Sequence, residues 1–156
     1  MNKELQKYLD KYLNVERTFK FMAFKEYICD ECCGSNIDNY INNNKNDDLF
    51  QQLLFKYIDR TDKKDSDIYN KANIDRRLFS KIRSDKNYHP SKNTVISLGL
   101  ALNLNEDEIV SLLNSASYYL PMNNKFDLII RFCFINKIYD INEVNNLLYE
   151  HNCETL

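Results

Sequence analysis

Residues 65–104 read DSDIYNKANIDRRLFSKIRSDKNYHPSKNTVISLGLALNL, and this stretch decides the fold. It opens with a short helical segment, turns at Asn73, and continues as a second short helix rich in basic residues. A polar loop follows, and Pro90-Ser91 begins a third helix. Two short helices joined by a tight turn are typical of a helix-turn-helix. The basic residues of the second helix are Arg76, Arg77, Lys81 and Arg83.

Asn73 and Asp75 predict the shape of the turn. After Gly, Asn is the residue that most readily adopts a left-handed backbone conformation, so Asn73 is expected to end the first helix. The carboxylate of Asp75 can accept a hydrogen bond from the free amides of the next turn, which predicts a second helix starting at Arg76. Ile74 is expected to pack between the two helices.

The second helix is predicted to have an apolar face and a charged face. Leu78, Phe79 and Ile82 recur at the spacing of one helical face, which leaves the basic residues pointing outward. Between Asp75 and Lys92 there are six Lys or Arg against two Asp, a local excess of four positive charges in a chain of net charge −2. A basic patch on an acidic body favours a small sequence-reading module over a general nucleic-acid coat.

A longer pattern runs through this region: Ile68, Ile74-Asp75, Phe79-Ser80-Lys81-Ile82, Pro90-Ser91, Thr94-Val95, Leu98, Ala101-Leu102-Asn103-Leu104 and Asp107-Glu108-Ile109. This pattern resembles lambda-repressor-like (XRE-type) helix-turn-helix domains, and the resemblance covers about Leu49 to Ser115. It implies a five-helix DNA-binding domain. It also places Ser80 and Lys81 at the family's Ser-Arg pair, and Arg76 and Arg77 at its base-contacting positions.

The chain departs from the family pattern at three positions. Asp65 stands where the family often has a phosphate-binding Gln, Tyr69 where it has a small Ala, and Asn73 where Gly is usual. Further along, residues 125–148 read KFDLIIRFCFINKIYDINEVNNLL. With this run, the chain resembles a variant of the domain that forms C-terminal appendages of larger bacterial proteins.

Composition predicts an all-α protein. Hydrophobic residues make up 44% of the 156 residues, whereas there are only 2 Gly and 2 Pro, so neither a β-sandwich nor a barrel is expected. No stretch approaches the roughly 18 apolar residues of a membrane-spanning helix, and the N-terminus lacks the apolar core of a signal peptide. We therefore expect a cytoplasmic protein without a membrane partner.

Three parts are predicted along the chain. Residues 1–45 form an N-terminal helical extension and linker, residues 46–118 the helix-turn-helix domain, and residues 119–156 a C-terminal helical pair packed on it. The linker is indicated by the Asn- and Asp-rich stretch from Gly34 to Asp48, which carries little that could be buried.

The remaining helices follow from periodicity and capping residues. An amphipathic helix is predicted over residues 3–13. Residues 15–29 fit a helix, although residues 18–21 alternate like a strand; helix is favoured because no partner strand is evident. Within the central domain, the helix that Ser91 caps is expected to run to about Leu102. A fifth helix, with a capping box at its start, is expected to reach about Tyr118.

The five cysteines are an odd number and are predicted to be reduced thiols rather than a disulfide framework. The cluster Cys29, Cys32 and Cys33 contains a Cys-x-x-Cys pair, Cys29 and Cys32. This spacing lets two thiolates bind one zinc from a single turn, and His151 or Cys153 could supply a further ligand. No second Cys or Cys/His pair stands at the usual spacing, so free or redox-active thiols are favoured over a metal site.

No catalytic constellation is evident. The only histidines, His89 and His151, do not stand beside a plausible nucleophile, and Gly34 and Gly99 cannot build a phosphate-binding loop. His89 is interpreted as a solvated loop residue, with a phosphate contact as the alternative. Neither an enzyme nor a bound cofactor is therefore expected.

These features predict sequence-specific binding to double-stranded DNA and transcriptional regulation in a bacterium or its phage. The helix from Arg76 to Arg83 would enter the major groove. Arg76 and Arg77 are predicted to read guanine edges, and Lys81 a base or a phosphate. Three residues beyond the helix are predicted to hold the DNA backbone: Lys86, Lys92 and Asn93. Ser80 and Arg83 complete the predicted interface.

The rival interpretation is a protein-interaction module, an inhibitor or adaptor such as a phage-encoded anti-defence protein, because fold does not dictate function. In that case the N-terminal helix would bind the partner through its apolar stripe. In the DNA-binding interpretation the same stripe predicts a homodimer, since repressor-type domains commonly bind paired half-sites as two-fold dimers. The stripe consists of Leu5, Tyr8, Leu9, Tyr12 and Leu13.

The cysteine pattern generates a first testable prediction. Because Cys29 and Cys32 lack an obvious complete ligand set, purified reduced protein is expected to contain no stoichiometric zinc. Elemental analysis of the protein checks this. One zinc per chain, lost when Cys29 and Cys32 are both replaced by Ser, would contradict the prediction.

Overall fold

The structure is a computed structural model that describes residues 4, 5, 7, 8, 49–86 and 88–156. Within these residues the chain forms helices, turns and loops and no β-strand, which confirms the all-α prediction. The predictions for residues 15–29, the linker and the Cys29–Cys33 cluster lie outside the described residues. The described helices from Leu49 onward are α1 (Leu49–Asp59), α2 (Asp65–Lys71), α3 (Arg76–Ser84), α4 (Lys92–Ala101), α5 (Glu106–Ser115), α6 (Lys125–Ile135) and α7 (Ile141–Glu150).

Polar side chains begin the helices, as predicted for α3, α4 and α5. Asp75 accepts a hydrogen bond from the amide of Arg77 at 2.6 Å, and Ser91 accepts one from the amide of Thr94. The Asn105 side chain and Glu108 form a reciprocal capping box. These bonds satisfy amides that have no partner within the helix.

Residues in the left-handed conformation end several helices. Asn73 has φ 52°, which confirms the predicted turn, and Asn103 has φ 53° directly after α4. The end of α5 was predicted too late, because Ser117 has φ 58° and already reverses the chain after Ala116. Asn is well suited to this conformation, whereas Ser at such a position carries little signal in the sequence.

The buried helix α4 lies at the centre of the fold. Every residue from Val95 to Ala101 is buried, and α4 packs against both α2 and α5. Gly99 permits the close approach: a Cβ at this position would clash with Ile109 Cδ1 and lie 3.3 Å from Phe134 Cζ. Helices α5 and α6 therefore converge on α4 at its one residue without a side chain.

The described N-terminal residues pack on this same core. Residues 4, 5, 7 and 8 are helical, Leu5 is fully buried, and the ring of Tyr8 lies 5.5 Å from that of Phe132 in an edge-on arrangement. The described part of the apolar stripe is thus covered within the chain itself. Leu5 and Tyr8 therefore need no second copy to cover them, and the homodimer stays a prediction.

Two ion pairs connect α6 to the preceding helices. Lys92, at the start of α4, binds Asp127 of α6 at 2.5 Å, and Arg131 Nε binds Glu106 of α5 at 2.7 Å. Helix α6 also packs against α7, and buried residues of both helices belong to the common core. No helix of the described part of the chain is long and apolar enough to cross a membrane.

The Lys92–Asp127 pair generates a stability prediction. Asp127 is 1% exposed, so Lys92→Met would leave a buried carboxylate without its cation and lower the free energy of unfolding by about 3 kcal/mol. Lys92→Met combined with Asp127→Leu should recover most of this loss. Urea denaturation measures both variants.

Arg131→Met is the matched control, because Glu106 is 37% exposed and can be solvated when its partner is removed. The expected loss is about 1 kcal/mol or less. Equal losses for Lys92→Met and Arg131→Met would show that Asp127 does not depend on its partner.

Candidate nucleic-acid interface

The outer face of α3 forms an open basic concavity, lined by Arg76, Arg77, Ser80, Lys81 and Ser84. These residues occur at positions i, i+1, i+4, i+5 and i+8, which share one side of a helix. All five are exposed, and none of the lining residues is acidic. Phe79 and Ile82 point the other way and are 3% and 1% exposed. The predicted separation of an apolar face from a charged face is therefore confirmed.

The side chains of Arg76 and Arg77 extend from the N-terminal end of α3. Within the described part of the chain neither guanidinium has an ion-pair or hydrogen-bond partner, although the backbone amide of Arg77 is bound to Asp75. A guanidinium presents five N–H donors in a planar fork suited to paired acceptors. The N-terminal end of α3 therefore presents two guanidinium groups, each able to donate a pair of hydrogen bonds.

Lys81 has an aromatic neighbour. Its ammonium lies 4.6 Å from the centroid of the Tyr88 ring, a cation–π contact between α3 and the following loop. His89 continues this loop and lies edge-on to Tyr118, with ring centroids 5.2 Å apart. The Tyr118 hydroxyl donates to the carbonyl of Pro90 at 3.2 Å. The loop after α3 is thus tied to the end of α5 rather than free in solvent.

Arg83 turns away from the concavity toward α1 and α2. Its Nη2 lies 3.0 Å from Asp65 Oδ1, and its guanidinium lies 4.9 Å from the centroid of the Phe55 ring. The Asp65 position, where the resemblance would place a phosphate-binding Gln, therefore carries an ion-pair partner for Arg83. This geometry assigns Arg83 to holding α3 rather than to the exposed face.

Gln51 of α1 binds the C-terminal end of α3. Its Nε2 donates to the carbonyl oxygens of Ile82, at 2.5 Å, and of Asp85, at 2.9 Å. Both hydrogens of the amide are used. The carbonyls at the end of an α-helix have no donor within the helix. Gln51 supplies one to Ile82, and at Asp85 it shares the carbonyl with the backbone amide of Tyr88, which lies 3.1 Å away.

Lys92 and Asn93 lie apart from the concavity on α3. They line a separate hollow at the start of α4 together with Asn124, Phe126, Cys153 and Glu154. Asn93 is exposed, but the ammonium of Lys92 is bound to Asp127 and its side chain is only 26% exposed. Lys86 is exposed in the turn that follows α3. The structure therefore brings together only part of the predicted set.

The described cysteines are unsuited to reactivity. Burial raises the pKa of Cys133 to about 12, with a smaller contribution from Glu143, and burial also raises the pKa of Cys153. A thiol with a raised pKa stays protonated near neutral pH and is a poor nucleophile and metal ligand. Among the described residues, no three His, Cys, Asp or Glu side chains come together as a metal site.

No family model, curated protein or solved structure matches the chain. Function is therefore argued from the geometry of the described residues. Three partners of the predicted site residues escaped the sequence analysis: Gln51 and Phe55, which contact α3, and Asp127, which binds Lys92 away from it. Each acts through a partner distant in the chain, and a single sequence carries no signal for such a pairing.

Proposed function

We propose that this protein binds double-stranded DNA in a sequence-specific manner and acts as a transcriptional regulator of a bacterium or its phage. The observation that carries the proposal is the exposed basic face of α3, with two guanidinium groups that have no partner in the described part of the chain. In this proposal α2 and α3 are the two helices of a helix-turn-helix, and α1 to α5 form a lambda-repressor-like domain.

The dimensions and chemistry of α3 support this role. The major groove of B-form DNA is about 12 Å wide and admits one α-helix. Helices of this kind contact base edges mainly through their N-terminal residues, where α3 carries Arg76 and Arg77. An Arg side chain donates two parallel hydrogen bonds to O6 and N7 of guanine, a pairing that no other base offers.

The other residues of the face have supporting roles. Lys81, held beside Tyr88, would reach a base or a phosphate, and the hydroxyls of Ser80 and Ser84 would donate to the DNA backbone. Lys86 would add charge beyond the helix end. Lys92 is reassigned to the α4–α6 ion pair, since its charge is already balanced by Asp127. Asn93 stays a candidate for a backbone contact.

The proposal predicts that the arginines and Lys86 contribute differently. A preferred duplex is selected from a random pool by retention on the protein and sequencing, and its affinity is compared with that of random duplex. Arg77→Ala is expected to cost roughly 1 to 3 kcal/mol on the selected duplex and much less on random DNA. Lys86→Ala should weaken both about equally and make the slope of log affinity against log salt shallower by about one unit.

Lys137→Asn is the control. It removes one positive charge from the C-terminal end of α6, and Asn suits the left-handed conformation that Lys137 has there, with φ 58°. This variant should change neither affinity appreciably. If the unmutated protein selects no sequence at moderate salt, DNA readout is wrong, and the protein-interaction module takes its place.

A further inference from the structure

The C-terminal end of α3 is held by a side chain from another helix. The two amide hydrogens of Gln51 go to two different carbonyls, that of Ile82 in the last turn of α3 and that of Asp85 directly after the helix. Gln51 is half-buried and lies on α1, whose Leu54 and Ile58 are 0% and 4% exposed in the core. The donor is thus fixed by a well-packed helix.

The other contacts of α3 do not supply the same restraint. Asp75 caps the helix locally, through the amide of Arg77, and does not connect it to a neighbouring helix. Phe79 and Ile82 bury apolar surface, which is a non-directional attraction. The ion pair of Arg83 with Asp65 has side chains 51% and 39% exposed, and solvent weakens such a pair.

Hydrogen bonds, in contrast, prefer a narrow range of distance and direction. A planar amide that donates to two carbonyls restrains both the position of the helix end and its rotation about the axis. A small rotation of α3 would displace the guanidinium groups at its far end, because long side chains amplify it.

We infer that Gln51 is a positioning residue for DNA readout: by holding the C-terminal end of α3 on α1, it sets the angle at which Arg76 and Arg77 meet the base edges. The inference rests on the proposed function. The hydrogen bonds themselves exist without DNA and can be tested without it.

Two substitutions separate donation from packing. Gln51→Leu puts a somewhat shorter apolar side chain in place of the amide and removes both donors. Gln51→Glu keeps the shape, but its carboxylate is an acceptor only and faces two carbonyl acceptors. Once protonated, the carboxyl regains one O–H donor. At acidic pH, Gln51→Glu should therefore regain part of the hydrogen bonding to the helix end, and with it part of the preference for the selected duplex. Gln51→Leu should regain neither.

The readout is the ratio of affinity for the selected duplex to affinity for random duplex, relative to the unmutated protein at the same pH. Gln51→Leu should lower this ratio about 5- to 30-fold at both pH 7.5 and pH 5.5. Gln51→Glu should lower it equally at pH 7.5 and recover part of it at pH 5.5. The charged groups near this helix end, Arg83, Asp85 and Asp65, are common to all variants and do not by themselves distinguish Gln51→Glu from Gln51→Leu.

Gln52 offers a matched control, because it is exposed and one residue further along α1. Gln52→Leu and Gln52→Glu should leave the ratio unchanged. Hydrogen exchange at the amides of Asp85 and Lys86, measured without DNA, should accelerate in both Gln51 variants and in neither Gln52 variant. Thermal unfolding identifies any variant that fails to fold. If Gln51→Leu fails to fold, the positioning role is tested by comparing the affinity ratio of Gln51→Glu at pH 7.5 and at pH 5.5.

Each outcome has a distinct meaning. An unchanged ratio in Gln51→Leu, or an equal loss in Gln52→Leu, overturns the positioning role. Accelerated exchange with an unchanged ratio shows a structural tie that readout does not use, and also overturns it. If the unmutated protein prefers no duplex, the proposed function fails and this role falls with it, while the exchange rates still report whether Gln51 holds the helix end.

Discussion

The burial of α4 from Val95 to Ala101 is the constraint on which the rest of the structure depends. A helical segment buried on all sides must be covered by its neighbours, and here α2 and α5 pack directly on it. Gly99 brings Ile109 of α5 and Phe134 of α6 onto the same point of its surface. Since α2 is held against α4, the turn at Asn73 has a fixed starting position. The location of α3 on the outside of the molecule follows from that.

Helix α3 differs from α4 in how it is held. It buries only Phe79 and Ile82, whereas α4 buries seven consecutive residues. A weakly buried helix gains exposed surface for a ligand but loses the precision that close packing gives. The two hydrogen bonds from Gln51 of α1 compensate for this loss, and the more exposed pair of Arg83 with Asp65 of α2 adds to them. In the proposed function α3 would need both features, because a displacement of about 1 Å is enough to disrupt paired hydrogen bonds to a base edge.

The sequence predicted what short-range chemistry determines. The turn at Asn73, the cap at Asp75 and the capping box at Asn105 each depend on residues within a few positions of one another, and all three are present. The exposed faces of the amphipathic helices were also predictable, because apolar residues recur at helical spacing on the opposite face. The acidic partners of Lys92 and Arg83 were not predicted, because charge alone does not show which carboxylate a cation meets. Their partners lie 35 and 18 residues away, beyond any local pattern.

Those partners change the electrostatic argument for the interface. The local excess of four positive charges includes Lys92 and Arg83, which are balanced by Asp127 and Asp65. The concavity on α3 then presents three cations, Arg76, Arg77 and Lys81, on a chain of net charge −2. Each neutralised phosphate contributes about 0.9 to the salt slope, so non-specific attraction from so few cations is weak. In the proposed function, affinity must therefore come mainly from base contacts, and two copies on paired half-sites would double those contacts within one complex.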